Sequence, residues 1–580
     1  MNKIIKITIL AITLTLFSCS KQEYIKEESP TRQESIVTQE SIQAKQEAKR
    51  LAAEQAQKTK QEAQRLAAKQ AQKAKQEVQR LAAEEARKVK QEVQRLAAEE
   101  AQKAKQEVQR LAAEEAQKAK QEIQRLAAEE AQKAKQETQR LAIEKSKSPK
   151  TQNITKKLLI ASEKTPVGAQ ISGNSAGTIP AWTGGITKPP SVYKKGDHHQ
   201  DPFAKDKVLF TINASNYNQY ISELSVGQIA MFEKYPQTYK MNVYQTRRSA
   251  SFPKRIYQKT IENGKTGKLS ADGEGVENVA EGFPFPNFTN AFELILNHKL
   301  KYKGSGGVRY NNQVAPTAAG RFTVVKLREE LLGKYYIPGN TVEDINNVLL
   351  YFYQEVESPA RLAGRILLVH ETMNQRVTPR QAWVYNPGQR RVRRAPNVAY
   401  DNPGTASDGL RTNDMTDMFN GAMDRFNWEF VGTKEMYVPY NSYKVHSGDL
   451  DYADIVRPGH LNSDLMRYEL HRVHVIEAKL KEGVRHINSR RTFYLDEDSY
   501  QILLTDHYDK RKNIWRFSEA HSINYYDVPT FWSTVETHHD LRSGRYVAVG
   551  LDNKDPVNTF DVPLSEGNYT PQALRKRGRR

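Results

Sequence analysis

Ser489-Arg-Arg-Thr-Phe-Tyr-Leu-Asp-Glu-Asp-Ser-Tyr-Gln-Ile-Leu-Leu-Thr-Asp-His-Tyr508 reads as two strands folded about an acidic turn. Aromatic and branched residues predict strands at 489–495 and 500–508, with Asp496-Glu-Asp498 as the turn between them. Tyr500, Ile502 and Leu504 fall on one face of the second strand, and Gln501 with Leu503 on the other. The pattern continues on both sides. Strands are expected at 470–480, 514–521, 533–540 and 545–551, with turn signals at Lys481-Glu-Gly483, Asp509-Lys-Arg511 and Arg542-Ser-Gly544. In the fourth strand of this run Trp515 and Phe517 alternate with Arg516. Successive strands joined by short turns make an antiparallel meander.

Upstream, further strands are expected at 321–329, 349–357, 364–372, 381–385 and 389–394, the last two joined by a hairpin turn at Asn386-Pro387-Gly388. Helical spacing appears at 214–234, with Ser215 or Asn216 as cap, at 289–298, and at 413–426, where Asn413 can cap. Residues 272–288 are dense in Gly and Pro and read as a loop, and Thr178–Gly185 with Lys188-Pro-Pro190 as an extended lead-in. The fold class is therefore α+β: a large curved antiparallel sheet with a few helices against it.

A different pattern precedes this domain. Lys-Gln-Glu recurs every fifteen residues at Lys45, Lys60, Lys75, Lys90, Lys105, Lys120 and Lys135. Leu51 to Leu141 keep the same step, and no Gly or Pro intervenes before Pro149. Strong helix formers and acid-to-base pairs such as Glu99 to Lys103 predict a continuous helix over 45–146. At about 1.5 Å per residue it would reach roughly 150 Å. Fifteen residues in four turns exceeds the natural helical repeat, so any supercoil would be right-handed. A lone charged helix and a weak coiled coil are both open.

Of the formal charge of +20, residues 1–44 contribute nothing, 45–149 contribute +8 and the remainder +12. The basic residues are dispersed and no nucleic-acid motif accompanies them, so nucleic acid is not expected as a partner. The single cysteine, Cys19, follows Lys3, Lys6 and the apolar run Ile7–Phe17. That run suits a signal-peptide core and is short for a membrane span. Leu16-Phe17-Ser18-Cys19 resembles the bacterial lipobox, with Phe17 in place of the usual small residue; it implies acylation of Cys19. Ser20 after it implies the outer membrane. The expected organisation is a signal peptide over 1–18, a polar tether over 19–44, the helical rod over 45–146, a linker over 147–159, the folded domain over 160–565 and a disordered basic tail over 566–580.

Catalytic chemistry finds little support. No disulfide is possible within one chain, and no Gly-x-Ser-x-Gly elbow or His-Glu-x-x-His helix exists. His471 and His474, three apart on a strand, point to opposite faces, so no metal is assigned. Asp496 and Asp498 are read as turn acids. No cofactor is expected, nor enzyme activity. The sharper signal is Arg390-Arg-Val-Arg-Arg394 beside Trp383-Val-Tyr385. On a strand Arg391 and Arg393 share one face, with Arg390 and Arg394 on the other, and guanidinium groups suit a phosphate or carboxylate headgroup. Pairing with acids on neighbouring strands is the plainer account. Trp383, Tyr385, Phe493, Leu503, Trp515 and Phe517 are candidates for the lining of a hollow or for core.

Several stretches carry a resemblance. Thr178–Gly185, Ala382–Pro396, Asp414–Phe426, Phe493–Leu504 and Ile523–Pro529 are similar to the domain of unknown function 1329 family, over about 160–565. That family is itself similar to the outer-membrane lipoprotein sorting factors. The resemblance implies an incomplete antiparallel barrel closed by helices, with an apolar hollow for acyl chains; the lipobox and the rod depart from typical members. It also implies, as nothing else here does, an RND-type transporter as partner. The expected function is an outer-membrane-anchored, periplasm-facing lipoprotein that binds a hydrophobic or amphipathic ligand without reaction, in envelope lipid transport. The alternative is a structural tether between the outer membrane and peptidoglycan or an inner-membrane complex.

Overall fold

In the computed structural model the described residues are 47–52, 54, 55, 57–59, 61, 62, 70, 72, 77, 84, 92 and 163–578, apart from 396, 397 and 399. The chain divides into two compact units, Met1–Gln152 and Asn153–Arg580. In the first, every described position of the repeat is helical and exposed. Glu54 and Lys58 meet at 3.5 Å, four residues apart. The rest of the expected rod, and Cys19, lie outside the described residues. Elsewhere the helices are short, the longest described one being the 13 residues of Lys254–Thr266.

In the second unit the strands are β1 Phe210–Ile212, β2 Met241–Val243, β3 Lys268–Leu269, β4 Val276–Glu277, β5 Gly306–Tyr310, β6 Asn312–Val314, β7 Lys326–Leu332, β8 Val348–Ser358 and β9 Ile366–Thr372. They continue as β10 Gln381–Asn386, β11 Arg391–Arg394, β12 Phe426–Pro439, β13 Tyr468–Leu480, β14 Arg490–Asp496, β15 Ile502–Tyr508, β16 Ile514–Tyr525, β17 Thr530–Asp540 and β18 Arg545–Leu551. A ten-stranded sheet runs β1-β2-β13-β14-β15-β16-β17-β18-β6, with β12 also on β13; a six-stranded sheet runs β11-β10-β9-β8-β7-β5. All pairings in both are antiparallel except the single parallel contact of β2 with β13.

The two sheets are joined where the chain passes from β5 to β6 through Asn311, so one stretch belongs to both. Among the described residues no pairing links the far strands β11 and β12, and the barrel stays open. The meander β13 to β18 has the expected order, and both of its faces are buried along β15 and β17. Four main helices accompany the sheets: α1 Val226–Lys234, α2 Lys254–Thr266, α3 Ala291–Lys299 and α4 Pro571–Arg577.

The α1 helix covers one face of the meander. Ser225 and Gln228 form a capping box at its start. Ser225 Oγ and the Gly227 amide both donate to Asp506 Oδ1, at 3.1 and 2.9 Å. Behind it Tyr468 donates to buried Glu519 at 3.0 Å, and burial pushes that carboxyl up to about 8.

Three expectations are corrected. The helix expected at 214–234 breaks at Leu224–Ser225 into the 3-10 turn Tyr217–Glu223 and α1, because Ser225 caps a new start. The helix expected at 413–426 is a 3-10 turn, Asn413–Met415, followed by irregular chain with Asp417 and Met418 at positive φ; β12 then begins at Phe426. The α2 helix and most of β12 had no counterpart in the sequence reading. The tail at 566–580 is not a disordered appendage as far as residue 578: Thr570 caps α4, Leu574 is buried, and Arg577 grips Glu330 with two hydrogen bonds of 2.6 and 2.9 Å.

Two outcomes follow. A Cβ on Gly227 would stand 2.1 Å from the Phe517 ring and 2.5 Å from Asp506. Gly227→Ala should therefore lower stability by about 1–3 kcal/mol in chemical denaturation, despite the better helix former. Glu519 has its folded pKa raised, so its contribution is full below about 4.5 and is lost as pH rises through about 8. His298, His521 and His539, lowered to about 3 by burial, contribute above their ordinary 6.5 and lose it as pH falls toward 3. Glu519→Gln should flatten the alkaline limb of a melting-temperature profile and leave the acid limb in place.

Candidate functional site

The space between the sheets is filled by the connection from β11 to β12. Within residues 400–425, Leu410, Met415, Met418, Phe419 and Met423 are buried, although this stretch has only the 3-10 turn for regular structure. Leu410 packs on Val547 and Val549 of β18, and Phe419 on Phe493 of β14 at 5.4 Å. Towards the other sheet, Ala406 packs against Leu327 and Val356, and Asn420 donates to Glu371 of β9 at 3.1 Å. The connection is a plug wedged between both sheets.

Two carboxylates anchor it. Asp414 accepts from Arg491 at 2.7 Å and lies 3.1 Å from His486 Nε2. Asp417 meets Lys301 at 2.6 Å and Lys303 at 2.7 Å, while its second oxygen accepts from Trp532 at 2.9 Å. These cations hold both carboxyls far below the usual range even though burial opposes it. Burial pushes Lys301 down to about 7 and its neighbour Lys299 down to about 8. Arg491 is 1% exposed and stands over the rings of Phe419, Phe426 and Phe493 at 4.5–5.5 Å. Its Nε and Nη2 find no hydrogen-bond partner. Where β5, β7 and β8 face β17, a cavity of about 20 Å³ remains, lined among others by Lys303, Arg309, Leu331, Phe352, Trp532 and Phe560. An acyl chain does not fit it, since ligand pockets begin near 300 Å³. The apolar hollow is occupied by the chain itself.

The residues singled out from the sequence do not converge. Phe493 and Phe517 are fully buried on opposite faces of the meander, Phe493 beneath the plug and Phe517 beneath α1, and Leu503 is buried too. Trp515 sits half-buried at the sheet's end, donating to Asp540 at 3.1 Å. Tyr385 and Trp383 belong to a separate small core, Tyr385 against α4 and Trp383 against His370 at 4.7 Å. Arg391, Arg393 and Arg394 lie exposed on β11, and Arg390 forms the turn at φ 50. The arginines are thus at one edge of the six-stranded sheet, with the cavity at the other, and not at the rim of a hollow. No acid on the neighbouring strand β10 meets them.

The acidic turn is buried, and its acids do more than shape a turn. Asp498 accepts from Arg248 Nε and Nη2 at 2.8 and 2.7 Å, and Glu497 from Arg472 at 2.7 Å. The same guanidinium groups donate to the carbonyls of Gln170 and Ser172, at 2.8 Å each. The lead-in over 163–186 is thereby strapped to β13 and to the β14–β15 turn. Charge alternation could not reveal this, because Arg248 is 250 residues from Asp498.

Residues 211–575 match the family described as "Protein of unknown function (DUF1329)". The chain is 47% identical over 421 residues to the uncharacterized protein PA3922 of Pseudomonas aeruginosa, covering 72% of this chain and 92% of that one. Among solved structures, a DUF1329 family protein of Desulfovibrio piger covers 49% of this chain and 96% of its own, at 14% identity and a TM-score of 0.35. A LolA superfamily protein of Nitrosomonas europaea covers 49% and 98%, at 10% identity and a TM-score of 0.30. The chain belongs to the DUF1329 family. Among the described residues no helix is long and apolar enough to cross a membrane.

Arg248→Ala removes the partner of Asp498 and one partner of Glu497 while both stay buried. It should lower stability by about 3–5 kcal/mol in guanidinium denaturation, and protease should release the 163–186 strap first.

Proposed function

We propose, with DUF1329 membership as the premise, that this domain is a non-catalytic binding protein of the cell envelope. It takes an amphipathic anion, an acyl chain with a carboxylate or phosphate head, into the space between its sheets when the plug is displaced. One observation carries the reading: the plug has the chemistry of such a ligand. Its Met and Phe side chains cover the apolar surface, and Asp414 and Asp417 hand carboxylates to Arg491, Lys301 and Lys303. Methionine adapts readily to other shapes, so the same surface can accept an acyl chain at about 0.8 kcal/mol per buried CH₂. The unpartnered donors of Arg491 suit an anionic head. In this reading Cys19 carries the outer-membrane anchor and the repeat sets how far the domain stands from it. An RND-type transporter as receiving partner rests on the family resemblance.

A second reading, a tether gripping an anionic envelope polymer such as peptidoglycan, is favoured by the exposed arginines of β11. The two are separable. Lipid extraction with mass spectrometry should find an acyl lipid on purified protein, and a fluorescent fatty acid should bind. Asp417→Asn loosens the plug and should raise that affinity several-fold. No lipid, and no fatty-acid binding by either protein, would sink the first reading. Arg391→Glu with Arg393→Glu should leave fatty-acid binding unchanged and abolish sedimentation with isolated sacculi if the second holds.

A further inference from the structure

His471 near the start of β13 meets Asp496 and Asp498, at the end of β14 and in the buried turn after it, at one place in the fold. All three are buried, and one donor atom from each lies within 4.8 Å of the others. No ion pair within 4.0 Å joins the histidine to either aspartate. They are too far apart to bond one another. Donors around a cation held at about 2.0–2.2 Å stand roughly 3–4 Å apart, so a contraction of up to about 1–2 Å would complete a site.

The surroundings are those of a ligand set. Asp496 Oδ2 accepts from Ser499 at 2.5 Å and from Tyr440 at 3.2 Å, but Oδ1 is buried without any partner. A buried acceptor left unmade is expensive, and something must answer it. His471 Nε2 lies 3.0 Å from Glu469 Oε2, while Glu469 Oε1 accepts from Arg467 at 2.6 Å and from Asn441 at 2.9 Å. The Tyr440 ring stacks on the imidazole at 3.8 Å. A histidine fixed through one nitrogen by an anchored carboxylate is the arrangement that orients the other nitrogen toward a metal. Asp498, although held by Arg248, keeps lone pairs for a second partner.

We propose that His471, Asp496 and Asp498 bind one divalent first-row cation, zinc or manganese. One imidazole and two carboxylates suit these ions better than thiolate-seeking or all-oxygen ones. The site would lock the strap, β13 and the β14–β15 turn together, independently of whether the plug yields to a lipid. A bound cation would answer the otherwise unpartnered Asp496 Oδ1.

Metal analysis of full-length protein, followed by titration of the chelated form with ZnCl₂ and with MnCl₂ under calorimetry and thermal melting, decides the matter. One ion per chain and a higher melting temperature are expected. Asp496→Asn removes the ligand charge without changing shape and relieves the repulsion from Asp498, so it should fold and lose the ion. His471→Gln should weaken binding at least tenfold. No binding of either ion by the unaltered protein, full stoichiometry retained in Asp496→Asn, or unchanged affinity in His471→Gln, would overturn the site.

Discussion

Buried carboxylates must be answered by cations or hydrogen-bond donors, and in this domain the cation-paired ones fix which parts of the chain lie next to each other. An isolated charge inside a protein is too costly to survive. Asp414 and Asp417 therefore hold the plug where Arg491, Lys301 and Lys303 are, and Glu497 and Asp498 hold the strap where Arg248 and Arg472 are. Neither plug nor strap has a helix or strand of any length to place it. Their positions come from ion pairs and from the apolar side chains between them.

The same constraint separates the two ends of the barrel-like surface. On one side of the meander a capped helix closes the sheet through Gly227 and Asp506, a close approach that leaves no room for exchange. On the other side irregular chain rich in methionine covers the sheet, fixed by a few charged contacts. Surfaces covered in the second way open more cheaply than those sealed by interlocked regular elements. The difference makes the plug side the place to look for a ligand.

Much of the architecture was legible. The alternation of Tyr500, Ile502 and Leu504, and the turn signals between strands, located β13 to β18 in order. Asn386-Pro387-Gly388 located the β10–β11 hairpin. The failures have particular causes. Asp414–Phe426 has helical spacing of Met and Phe, but the pull of Lys301 and Lys303 on Asp417 and the left-handed backbone there override it. The fourteen residues of β12 carry Gly432 at a register shift, which hides the period. The basic tail looked solvated because Arg575, Lys576 and Arg577 follow one another, whereas Leu574 and Tyr569 fill a small core and Arg577 meets Glu330.

The sequence by itself determined the order of the meander β13 to β18, the membership of a family, the fifteen-residue repeat and the lipobox-like junction at Cys19, because each is written within a few residues of itself. Only the tertiary structure decided that the hollow is filled, that Arg390 to Arg394 stand at the edge opposite the cavity, and that Asp496 and Asp498 are buried beside His471. The physical reason is distance along the chain. Whether an acid is a solvated turn residue or half of a buried pair depends on a partner such as Arg248, 250 residues away, and no local period records it.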